Sequence, residues 1–171
     1  DGSAVQVIPA ASLPANRLVD HTFTATGART ISVTLVDEDG GLEGPFNGFL
    51  LQPRVGGALE ALGSAVRFET SFSDRVREIA ILMVAQHWDS GFMRYSHEAL
   101  GRHAGLSDAD LTALREGRWD AFEGEERLVA RTSLLLAGDG DLDDRAYADA
   151  QAALCESGMF ELLALVGYYA T

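Results

Sequence analysis

Lysine is absent from this chain of 171 residues; all 13 of its basic residues are arginine. That absence removes Schiff-base chemistry and the lysine of a phosphate-binding P-loop. Cys155 is the only cysteine, which excludes an intrachain disulfide and any CxxC redox or metal pair. Positive charge is scarce too. Set against those arginines are 26 acidic residues, leaving a formal net charge of −13. Nucleic-acid affinity comes largely from neutralising phosphates, and anionic lipid makes the same demand, so the chain is expected to bind no nucleic acid and no membrane. No unbroken apolar run approaches the ~20 residues that span a bilayer, and the start lacks the basic-then-apolar pattern of a leader. The expected location is therefore cytoplasmic.

With 47% apolar and 23% charged residues, the composition is that of a globular domain able to bury a core, not of a disordered segment. Residues 1–45 differ from the rest. They hold Pro9, Pro14 and much Ser, Thr and Gly, and they show no helical period. Thr30–Val36 alternates and is β-branched, which predicts a short strand or extended segment; Asp37–Gly41 follows as a turn. This region reads as an extended N-terminal arm that covers a helical body or a neighbouring subunit.

Residues 46–171 read as an all-α domain of about five to seven helices. Apolar residues recur over Asn47–Val66, where Pro53 and Gly56-Gly57 predict two short helices or a bend. Ser73-Asp-Arg-Val76 is a helix start capped by Ser73 or Asp74. The run Ile79–Ala85 that follows is apolar on nearly every side, as in a helix buried at the centre of a bundle. Asp89-Ser90-Gly91 breaks the chain and caps a helix from Phe92 to Ala104, with Gly105 at the C′ position. Ser107–Asp110 starts a helix over Leu111–Glu116, and a loop through Trp119 and Phe122 leads to a helix over Glu125–Ala137. Asp139–Asp144 is an acidic turn before two last helices, Arg145–Ser157 and Met159–Tyr169. The final helix has no terminator, which is the pattern of a piece of a longer chain. Cys155 falls inside a helix, where a lone cysteine reads as a buried, inert thiol.

The segment richest in chemistry is His87–Glu98, with two histidines, two carboxylates, an arginine, a tyrosine and a tryptophan around one helix start. Helical spacing places Ser90, Met93, Arg94 and His97 on one face. Glu78 lies on the preceding apolar helix, so its carboxylate either faces solvent or is buried with a partner such as Arg75 or Arg77. Two metal-site patterns fail. His97-Glu98 lacks the second histidine of a zinc motif, because Gly101 stands at that position. Asp139–Asp144 opens like a calcium loop, but Asp144 and Ala150 replace its glycine and final glutamate.

Four segments together, Asp37–Asn47, Arg75–Leu82, Tyr95–Glu98 and Ala104–Ser107, resemble carboxymuconolactone decarboxylase-like proteins, which are related to the alkylhydroperoxidase D-like proteins. The resemblance covers roughly residues 37–171 and implies an alkylhydroperoxidase D-like helical bundle assembled as a homo-oligomer, a trimer or hexamer. The redox branch of that family uses a glutamate, two cysteines and a histidine at spacings that fall here on Glu78, Ser90, Met93 and His97. The acid and the imidazole are kept and both sulfurs are lost, so the resemblance implies a non-redox activity without a cofactor or a metal. Met93-Arg94 also stands where many cysteine-less relatives carry a glutamate and an aromatic residue.

On this reading the chain is a lyase-like enzyme that acts on a small carboxylated lactone or keto acid. His97 serves as general acid or base and Glu78 orients it. Arg94 clamps the substrate carboxylate. Ser90 or Tyr95 hydrogen-bonds the lactone oxygen, and Trp88 and Met93 line the pocket. Two alternatives stay open: a catalytically inert oligomeric binding or structural member of the family, and a hydroperoxide reductase, which the missing cysteines disfavour.

Overall fold

A computed structural model of the chain describes Phe49 and residues 51–171. The expected arm, its strand at Thr30–Val36 and its turn at Asp37–Gly41 lie outside the described residues. The fold is all-α. Its long elements are α1 (Pro53–Phe68), α2 (Asp74–His87), α3 (Gly91–His103), α4 (Asp108–Arg115), α5 (Gly124–Asp139) and α6 (Asp144–Tyr169), with a short 3-10 turn over Trp119–Ala121. The chain divides between Leu59 and Glu60, and the residues after that boundary form the second, compact unit. Both buried clusters belong to the second.

Phe49 is helical, Leu51 and Gln52 form a turn, and α1 begins at Pro53, so the break expected at Pro53 is present, whereas Gly56-Gly57 does not interrupt the helix. Pro53 opens it at the first helical position, where its missing N–H costs nothing because that donor has no intrahelical partner. Gly56 sits inside it without breaking it. A Cβ there would collide with the backbone of Phe49, so this glycine permits close approach instead of a turn.

α2 is the centre of the second unit. Every residue from Val76 to Ala85 is buried, and the helix packs against α3, α4, α5 and α6. Its two sides feed different clusters. Val76, Ala80, Ile81 and Val84 pack with Val129, Leu154, Leu162 and Leu165. Ile79, Leu82 and Met83 pack with Leu106, Leu111, Leu114 and Phe122. Fully burying one such side chain contributes about 1.5–3 kcal/mol, so α2 anchors the unit.

Serine hydroxyls set the starts of three helices. Ser73 accepts from the backbone N–H of Val76, Ser90 from that of Met93, and Ser107 from that of Asp110, whose carboxylate returns the bond to the Ser107 N–H. Between α2 and α3, Asp89 takes a left-handed backbone with φ 48°, which reverses the chain within three residues and makes α2–α3 a tight hairpin. Gly105, at φ 92°, ends α3 in the conformation a C′ glycine provides. α4 starts three residues earlier than expected, at Asp108.

The last two predicted helices form one element, broken at Cys155 rather than beside Gly158. Cys155 has φ 56° and ψ 177°, a region occupied almost only by glycine. Its thiol is exposed and lies 3.1 Å from the Ser157 hydroxyl, which corrects the expectation of a buried, inert thiol. That hydrogen bond and those from the Ser157 and Gly158 backbone hold the thiol pKa below its ordinary value. By length and composition α6 is also apolar enough to cross a membrane, which a search for unbroken apolar runs missed. Its Met159, Leu162, Leu165 and Val166 are buried in the core.

Candidate functional site

Glu78 faces α3 from the first half of α2, and α3 returns alongside it after the Asp89 reversal. His97 and Gly101 are the only buried residues of α3. They are four apart and so share one face. His97 Nδ1 lies 2.7 Å from Glu78 Oε2, and both side chains are almost wholly buried, at 7% and 3% exposure. A carboxylate only accepts, so Nδ1 carries the proton and Nε2 presents its lone pair. No hydrogen bond engages Nε2 among the described residues.

Two further side chains complete the cluster. Arg67, in the last turn of α1, brings Nη2 to 3.8 Å from Glu78 Oε1. Tyr169, at the end of α6, meets the His97 ring edge-on with centroids 5.1 Å apart, and its hydroxyl interacts with the Arg67 guanidinium. Tyr168 stacks edge-on against Tyr169 and also packs where α1 carries Gly63, since a Cβ at Gly63 would strike the Tyr168 ring. Glycine at that position therefore lets α1 and the end of α6 approach closely.

Burial dominates the electrostatics. It pushes the His97 pKa below its ordinary value; Glu78 opposes that shift, while the Arg67 and Arg77 charges add to it. Neutral imidazole is thus the form the fold favours. Burial also raises the Tyr169 hydroxyl to about 12, against the opposing Arg67 charge, so it stays a protonated donor. Arg67 is held above its ordinary value: desolvation is the largest influence and lowers it, but Tyr169, Glu78 and Tyr168 together outweigh it.

The other residues singled out from the sequence are placed as follows. Ser90 is the N-cap of α3. Arg94 donates to Asp89, a solvent-exposed carboxylate, at 2.6 Å. Met93 is half-buried and packs on the core. Trp88 and Tyr95 are exposed, at 56% and 68%, and Trp88 stacks edge-on with His87. Neither expected partner of Glu78 takes that role. Arg75 pairs with Glu126 and Asp110 and donates to the Gly105 carbonyl, tying α2 to α4 and α5, whereas Arg77 donates to Asp74.

Sequence reasoning missed Arg67 and Tyr169. A signal existed for each: Arg67 is the one basic residue in the last turn of α1, and Tyr169 belongs to a Tyr-Tyr pair closing the last helix. No group of three or more His, Cys, Asp or Glu side chains among the described residues is placed to hold a metal ion. Searches of family models, curated proteins and solved structures found no match to this chain.

Proposed function

We propose that this chain is a non-redox acid/base enzyme of the carboxymuconolactone decarboxylase type, acting on a small carboxylated lactone or keto acid. One observation carries the reading: a buried imidazole held by a carboxylate through Nδ1, with Nε2 left to exchange a proton. Glu78 fixes the tautomer and the ring orientation. In the free protein His97 is neutral. A bound substrate carboxylate adds negative charge beside it and favours the imidazolium, so substrate and proton are taken up together. As the bond to the carboxyl group breaks, its electron pair stays on the substrate carbon and CO₂ leaves. His97 Nε2 then gives that carbon its proton and returns to the neutral form.

The alternative hydroperoxide reductase draws no support from these positions. Ser90 and Met93 stand where two sulfurs would have to attack and resolve, and Cys155 is a single thiol on another helix. Homo-oligomeric assembly belongs to the same proposal. It is supported by exposed Trp88 and Tyr95 at the α2–α3 hairpin and by Phe160 and Leu163 on α6; light scattering on the purified chain measures it.

The function is tested by CO₂ release from carboxylated lactones and β-keto acids. Wild type is expected to turn over at least one of them, with His97→Ala slower by about 10²–10⁴-fold, the usual contribution of a general acid or base. Equal, near-zero release from both proteins refutes the proposal.

A further inference from the structure

Arg67 is the cation best placed to hold an anion at this site: its guanidinium meets the Tyr169 hydroxyl and the Phe68 ring, but its donors are not all used. A guanidinium carries five N–H donors. The contact of Arg67 with Glu78, at 3.8 Å, is longer than a hydrogen bond, and Glu78 Oε2 is already engaged by His97. Arg67 Nε is buried with no acceptor among the described residues, and so is Arg77 Nε. Leaving such a charged donor without an acceptor is costly, and a carboxylate is the group whose two oxygens match the guanidinium fork.

Access points the same way. The Arg67 side chain is 24% exposed, against 3% for Glu78 and 7% for His97. Of these three side chains, Arg67 is the one open to solvent. Arg94 is as open to solvent, at 28%, but its guanidinium already donates to Asp89.

We infer that Arg67, assisted by the Tyr169 hydroxyl, is the receptor for a ligand carboxylate beside His97, in place of Arg94. The inference rests on the acid/base reading for what the ligand then undergoes, but binding alone tests it. The probes are 5-oxotetrahydrofuran-2-carboxylate and γ-butyrolactone, the same ring without its charge. Each is titrated into the whole chain while the His97 ring signals are followed by NMR, assigned by their loss in His97→Gln.

The carboxylate is expected to bind wild type more tightly than the neutral lactone. Arg67→Met should weaken it by at least about tenfold, the worth of one charged hydrogen bond. Arg67→Lys should fall between, keeping the charge and losing the fork, and it carries the test if circular dichroism shows Arg67→Met unfolded. Arg118→Met, an exposed control paired with Glu116, should bind as wild type does. Three outcomes overturn the inference: no carboxylate binding by wild type up to millimolar concentration, undiminished binding by both folded Arg67 variants, or a loss produced by Arg94→Met instead. Arg67-dependent binding without any CO₂ release would remove the acid/base reading and leave the anion site. CO₂ release with Arg67-independent binding would do the reverse.

Discussion

Replacing Glu78 by leucine is expected to destabilise the fold more than replacing His97 by leucine, although the two side chains share one hydrogen bond. The asymmetry follows from their partners. Glu78 accepts from His97 and is also the buried countercharge of Arg67. Without it, Nδ1–H loses its acceptor and a half-buried guanidinium loses its anion, a change that costs about 3–5 kcal/mol for a buried pair. Removing His97 instead leaves the carboxylate beside Arg67 and deletes one charge-assisted hydrogen bond, about 1.5–3 kcal/mol. At about 2–4 °C per kcal/mol for a chain of this size, Glu78→Leu should lower Tm by roughly 6–20 °C and His97→Leu by roughly 3–12 °C. The double variant should cost less than the sum of the two by about 1–3 kcal/mol, because neighbours in one network are coupled. Urea titration and thermal circular dichroism of the four proteins measure the cycle. A His97→Leu cost equal to or above that of Glu78→Leu, or additivity within about 0.5 kcal/mol, would refute the reasoning.

The depressed His97 pKa makes stability pH-dependent. The unfolded chain binds a proton at His97 near pH 6.5 and the folded chain only at lower pH, so stability falls as pH drops below about 6.5; urea titrations from pH 7.5 to 5 should show a slope that His97→Gln reduces. Cys155→Gly should raise Tm, because it relieves about 1–3 kcal/mol of backbone strain at φ 56°, with Cys155→Val moving it the other way in the same melting experiment. Gly63→Ala forces a methyl group against the Tyr168 ring and should cost about 1–3 kcal/mol as overpacking, read by urea denaturation. Arg75→Met removes the link to Glu126, Asp110 and the Gly105 carbonyl; allowing for partial exposure, about 1–2 kcal/mol of stability should be lost, and added salt should shrink the difference from wild type.

What could be seen in the sequence was local. Ser73, Ser90 and Ser107 announce three helix starts because a cap acts on N–H groups two or three residues away. Ile79–Ala85 announces a central helix because it has no polar side. The break at Cys155 was visible only as a change of helix near Gly158, since nothing in the alphabet marks a cysteine that will adopt a glycine conformation. Along the sequence Gly56-Gly57 reads as punctuation, while in the fold Gly56 admits the Phe49 backbone. Of the site, Glu78 and His97 lie on adjacent helices of one hairpin and were legible together. Arg67 and Tyr169 come from opposite ends of the described chain, and no periodicity encodes a meeting between residues so far apart. Arg94 drew attention through its nearness to His97 along α3, but Asp89, five residues back, takes its guanidinium.

The full enclosure of α2 has an evolutionary corollary. Ten consecutive positions around Glu78 are committed to packing, so mutational drift there is filtered by folding before ligand chemistry is ever exposed to selection. The ends of α1 and α6 are less fully committed, though Gly63 and Tyr168 are held in contact there. New surface chemistry should therefore arise by exchanging exposed residues near Arg67, with the Glu78–His97 pair inherited unchanged.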